Sequence, residues 1–295
     1  MNINNNFTPL AWHKGDIELQ SNRATYAFGH IVPLIAHYQT LIPFQIIVEH
    51  GSLNLEQMEM QLCNIDGTPV MTIHPTLTLV EDDDYDVVIY NGDTLSDSLP
   101  IGQYFLMISS ATGVWFSDVV TIVSNVLNMT CMEWWDVQDL TFGAGAIVYK
   151  YAIGGQSVQY KNRMYFLEEI GMPEYTVEEE GETRDGLFYS SKILSGKKYK
   201  MNIAQLTEAM CDALRFVHLS DRVEIRDGYG RMYYCDNVLI TPEWQSGAVA
   251  SASVEITTDT FVKQVGRSGG DTPEPTGSTG VLGTAVIGDT FVIGA

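Results

Sequence analysis

The stretch AVASASVEITTDTFVK, residues 248–263, alternates along its whole length. Val249, Ser251, Ser253, Glu255, Thr257 and Asp259 point one way, and Ala250, Ala252, Val254, Ile256 and Thr258 the other. A period of two with one small apolar side predicts a long strand packed on one face of a sheet. Working backwards, RVEIRDGYGRMYYCDNVLIT (222–241) predicts a hairpin turning at Asp227-Gly228-Tyr229-Gly230. Before it, Ile203, Leu206, Met210 and Leu214 recur at helical spacing within Asn202–Phe216, with Asn202 or Thr207 as the cap. LFYSSKILSGKKYKMNI (187–203) is expected to be strand–turn–strand around Ser195-Gly196, and PEYTVEEEGETRDG (173–186) a charged loop carrying Glu178, Glu179, Glu180 and Glu182. Arg163–Glu168 is expected to be a strand, as is the segment with Val148, Tyr149 and Tyr151, which turns at Gly154-Gly155.

The N-terminal half has the same grammar. LIPFQIIVEH (41–50) is strand-like, and MEMQLCNIDGTPVMTI (58–73) is a hairpin about Asp66-Gly67. TLTLV (76–80) and VVIY (87–90) flank the acidic run 81–86. LPIGQYFLMISSATGVWFSDVVTIV (99–123) is a further hairpin, with Tyr104, Leu106, Ile108, Val119 and Ile122 as inward candidates. Short strands separated by turn signals predict a sandwich. MTCMEWWDVQDL (129–140) is a bridging strand and loop whose Trp134 and Trp135 are candidates for sealing a domain interface. The expectation is therefore a mainly β chain of two domains. A β-sandwich spans 20–128 after an N-terminal arm (1–19), and a β-rich domain with one amphipathic helix spans 129–266.

Beyond Gly266 the composition changes. Residues 267–280 are rich in Gly, Pro, Ser and Thr, as expected of a flexible linker. The last fifteen residues, 281–295, are apolar and carry one charge, Asp289. Val281, Leu282, Val286, Ile287, Phe291, Val292 and Ile293 make this segment an aggregation hazard in water and a candidate docking tail that adds a strand to a neighbour. The word Asp259-Thr260-Phe261-Val262 recurs in it as Asp289-Thr290-Phe291-Val292.

Charge and motifs narrow the function. Acidic residues number 37 against 16 basic ones, a net charge of −21, which opposes wrapping of nucleic acid or an anionic membrane. No uncharged apolar run reaches the roughly 18 residues of a membrane helix, and MNINNNFTPLAWHKGD lacks a signal-peptide pattern. Cys63, Cys131, Cys211 and Cys235 share no CxxC spacing, and the six histidines form no HExxH, so no metal or other cofactor is expected. The run Glu81-Asp82-Asp83-Asp84-Tyr85-Asp86 reads as a solvated loop, because a calcium loop begun at Asp82 has Val87 where glycine is required. There is no GxSxG elbow, dinucleotide fingerprint or phosphate loop, and no enzymatic activity is expected.

The phrases MPEYTVEEEGETRDG, AMCDALRFVHLSD, YYCDNVLITPEWQSG and VEITTDTFVK resemble structural proteins of bacteriophages of gut Bacteroidetes, including the crAss-like phages. LPIGQYFLMISSATGVWFSDVVTI followed by MEWWD is similar to the preceding segment of those proteins, so the resemblance covers roughly residues 40–266. It implies a virion structural protein made in the host cytoplasm. Such a chain would form an oligomeric ring in the phage tail, beside portal, muzzle or other tail proteins, through which DNA passes without specific binding. It brings no catalytic residues. Candidate inter-subunit contacts are the tail residues named above together with Glu178, Glu179, Glu180, Trp134 and Trp135. The alternative is a receptor- or glycan-binding fibre or head protein, with Trp115, Trp134, Trp135 and Trp244 as sugar platforms.

Overall fold

The computed structural model describes residues 8–15, 34–51, 58–81, 85–110, 113–135, 161–244 and 249–264. In chain order the strands of the first half are β1 (Trp12–Lys14), β2 (Leu34–His37), β3 (Phe44–Glu49), β4 (Glu59–Asn64), β5 (Pro69–Ile73), β6 (Leu77–Glu81), β7 (Tyr85–Tyr90), β8 (Gly102–Ser110), β9 (Gly113–Ser117) and β10 (Val120–Val123). The second half has β11 (Thr130–Trp135), β12 (Asn162–Phe166), β13 (Glu174–Arg184), β14 (Leu187–Leu206), helix α1 (Glu208–Leu214), β15 (Arg222–Arg226), β16 (Met232–Trp244) and β17 (Ala250–Gln264). The chain is mainly β, in several sheets.

One seven-stranded sheet runs β1-β9-β8-β10-β2, with β4 added to β8 and β5 to β4. A three-stranded sheet, β3-β7-β6, lies over it. Aromatic rings join the two: Phe44 of β3 meets Trp12 of β1 at 5.0 Å between centroids, and within its own sheet it packs on Tyr90 of β7 at 5.3 Å. Residues expected to form part of an N-terminal arm thus supply the edge strand β1, with Leu10, Ala11 and Trp12 buried. The hairpin at Asp66-Gly67 forms as expected, with Gly67 at φ 88° and the Asp66 carboxylate accepting from the Thr68 amide. Strand β8 is buried on both sides. Leu106 and Ile108 face the main core, while Phe105 meets Phe116, Val119 and Cys63 in a satellite cluster.

The second seven-stranded sheet is antiparallel throughout, in the order β12-β11-β15-β16-β17-β14-β13. In β17 the alternation read from sequence holds: Ala250, Ala252, Val254, Ile256 and Thr258 are all buried. The four apolar ones join Met201, Ile203 and Val238 in an apolar core that runs unbroken through Met164 and Trp134 to the sandwich residues. The Thr207 hydroxyl caps α1 by accepting from the Met210 amide, and the helix buries its Ala209, Met210, Ala213 and Leu214. A 3-10 turn, Arg215–Leu219, follows the helix.

Three expectations are corrected. Of the two expected caps Thr207 holds and Asn202 does not: the helix begins at Glu208, because Asn202–Leu206 stays in β14 beside β17 and buries Ile203 and Leu206. The charged segment 173–186 is not a loop: its Glu174–Arg184 form strand β13. Ser195-Gly196 is not a turn but the middle of β14, and the chain reverses instead at Asp185-Gly186. Both turn residues have positive φ, 51° and 78°, as a two-residue hairpin turn with the right twist requires. The expected strand at Val148–Tyr151, the turn at Gly154-Gly155 and the segments 267–280 and 281–295 lie outside the described residues.

Candidate docking surface

Strands β13 and β14 make the last hairpin of the second sheet, and β13 is its edge. Strand β17 accompanies β14 only as far as Lys192, opposite Gln264. Beyond that point, Gly181–Arg184 and Leu187–Ser190 pair only with each other among the described residues. Among the described residues this distal part of the hairpin extends past the end of β17 as an arm.

Its two faces differ in chemistry. Strand register places Tyr175, Val177 and Glu179 of β13 on the side shared by Lys197, Ser195 and Ile193 of β14. That side is a continuation of the core face, because Tyr199, Met201 and Ile203 follow on β14 with the same parity. A bulge at Glu180/Gly181 leaves Ser191 as the extra residue and brings Phe188, opposite Thr183, onto this side. A second bulge lies in β17, where Asp259 sits at φ 52°, and puts Phe261 there too, opposite Ser195. The Asp236 carboxylate fixes this bulge by accepting from the Thr260 amide at 2.7 Å. The outcome is an uncovered apolar strip: Tyr175 is 74% exposed, Val177 66%, Phe188 54% and Phe261 51%. One ion pair crosses it, Lys197 to Asp259 at 3.0 Å. That hydrogen bond and its charge raise the Lys197 ammonium pKa.

The opposite face is a ladder of ions. Lys192 pairs with Glu180, Lys198 with Glu178 and Lys200 with Glu174. These lysines explain why an acidic run becomes a strand: the cross-strand cations offset repulsion between neighbouring glutamates. Glu178 and Glu180 thus lie on the ionic face and Glu179 on the apolar one, all three exposed. The signal missed in the sequence was the alternation Glu174-Tyr175-Thr176-Val177-Glu178, which has the period of a strand. Phe188 and Phe261 carried no such signal, because bulges set their side of the sheet.

The tryptophans separate. Trp134 is 1% exposed and its surface is spent inside the chain's own core, which corrects its place among the inter-subunit contacts. Trp135 is half-buried under the Lys161 ammonium, 4.0 Å from its ring centroid. Glu133 ties this corner together by binding both Lys161 and Arg163. Burial pushes the Glu133 carboxyl up, but the two cations prevail and hold it below the usual range. Trp115 is buried, whereas Trp244 at the end of β16 is exposed. In the acidic run, Asp86 is buried and spends its oxygens on His50 Nδ1 (2.9 Å) and the Gly51 amide (2.7 Å). Among the described residues no three His, Cys, Asp or Glu side chains converge as a metal site.

Among known proteins, no family model matches this chain and no curated protein does.

Proposed function

We propose that this chain is a structural subunit of a bacteriophage tail that associates with copies of itself into a ring around the DNA path. The observation that carries the assembly part of this reading is the uncovered apolar face of the β13–β14 arm. An apolar side that overhangs its own core belongs against another surface, and large uncovered strips mark contacts between proteins. The phage assignment rests on the sequence phrases between residues 40 and 266. Ring closure would come from a repeated head-to-tail contact, each subunit offering its arm to the next. The net charge of −21 fits a wall past which a polyanion slides, since acidic side chains facing the lumen repel phosphates.

Cryo-electron microscopy of the virion tests the reading. The expected result is this chain in a closed ring of the tail, with an acidic lumen. A basic lumen, or the chain found only in head fibres, overturns it. Mass photometry of the purified chain separates the receptor-binding alternative: a ring gives a discrete high-order species, a fibre a trimer.

A further inference from the structure

The arm's apolar face needs an occupant, and the chain carries a suitable one. We propose that residues 281–295 cover this face, adding a strand along the free edge of β13 and closing their apolar side chains over Tyr175, Val177 and Phe188.

Three observations converge on it. The first is position. The described part of β17 ends at Gln264, opposite Lys192, at the base of the arm. The sixteen residues 265–280 separate that point from Val281. Extended, they span up to about 55 Å, whereas the arm from Lys192 to its turn measures roughly 20 Å. The segment therefore reaches every part of the arm, on its own subunit or on an adjacent one. The second is chemistry. Residues 281–295 hold Val, Leu, Ile and Phe with one charge, Asp289, and so suit the apolar strip and not the ladder of Lys and Glu on the other side. The third is the repeated word. Its first copy, Asp259–Val262, already lies in this sheet and lays Phe261 on this same face. The second copy, Asp289–Val292, offers the same alternation to the same surface. Among the described residues β13 is the outermost strand of its sheet, which leaves the backbone N–H and C=O groups on that side to a further strand. A two-stranded ribbon is also marginal alone, and a third strand with an apolar cover stabilises it.

This inference rests on the ring reading only for which copy donates the segment. The test uses the full chain with p-benzoylphenylalanine in place of Val177 and, in a second preparation, of Phe188. Both positions are exposed, so the fold tolerates the change. An equal mixture of 14N- and 15N-labelled protein is irradiated, and the crosslinked peptides are mapped by mass spectrometry. The expected crosslinks join either position to residues 281–295 and are lost in a chain ending at Gly280. Crosslinks of mixed isotope assign the donor to a neighbouring copy. Same-isotope crosslinks alone assign the donor to the same subunit and keep the proposal. Crosslinks to any other segment from both positions, or none from either, overturn the proposal.

Discussion

Asp227 shows how one carboxylate holds a hairpin. It is buried and accepts from the Tyr229 amide (2.9 Å), the Arg231 amide (2.8 Å), Arg231 Nε (2.7 Å) and the Tyr233 hydroxyl (3.0 Å). Burial pushes its pKa up, but these donors outweigh burial and hold it below the usual carboxylate range. A carboxyl depressed in the folded state lends stability above its unfolded pKa of about 3.9, and that stability is lost as pH falls through the folded value. Asp227→Ala should cost about 3 kcal/mol in urea unfolding at pH 7, since it strands buried donors. The gap between wild type and Asp227→Asn should narrow as pH drops below about 4. Asp259 is a different case, a non-glycine residue at φ 52° in a bulge. Asp tolerates this region and β-branched residues do not. Asp259→Asn should be nearly neutral and Asp259→Val should lower stability by about 1–2 kcal/mol, read from the denaturation midpoint. At this scale the Asp-Gly-Tyr-Gly turn was legible in the sequence because its chemistry is local. The bulge was not, because Asp236 imposes it from another strand.

Among the elements, the arm and the helix depend on different things. Helix α1 has only seven residues, too short to stand without its cap and the core beneath it. Thr207→Ala removes the acceptor for the Met210 amide and should cost about 1 kcal/mol by thermal or chemical unfolding. The arm hangs outside the core, so its distal part contributes little to the fold. Replacing Gly181–Ser191 by Asn-Gly joins the facing pair Glu180 and Lys192 by a tight turn. This change should leave the far-UV circular dichroism of the body intact and shift Tm by no more than a few degrees, while association measured by mass photometry is lost. A large drop in Tm would show that the arm stabilises the fold itself. The ion ladder is exposed, so neutralising Glu178 or Glu180 should change stability by less than about 1 kcal/mol.

In the whole molecule, the core passes without a break from the sandwich sheets through Trp134 and Met164 to β14 and β17. A shared core couples the two halves. Urea unfolding followed by tryptophan fluorescence and by circular dichroism should therefore give coincident single transitions. Trp134→Ala should lower stability by about 3–5 kcal/mol and move both signals together. Separate transitions would mean that the halves unfold independently. Burial also governs the thiols: it pushes the Cys63 and Cys131 thiols up to about 11, which keeps them protonated and unreactive near neutrality.

Local pattern alone was enough for the β class, most strand positions, the turns at Asp66-Gly67 and Asp227–Gly230, and the buried side of β17. Each of these follows from a period of two or from a glycine beside an aspartate, within a few residues of chain. It took the folded chain to make Glu174–Arg184 a strand, to delay the helix until Glu208 and to bury Trp134. It also decided that Tyr175, Val177, Phe188 and Phe261 share one uncovered face. Those outcomes depend on partners far along the chain: lysines of β14 facing the glutamates of β13, Ala250 holding Leu206 extended, and two bulges resetting which side of the sheet a residue meets. Local pattern states what a residue prefers, and cross-strand pairing decides which preference prevails.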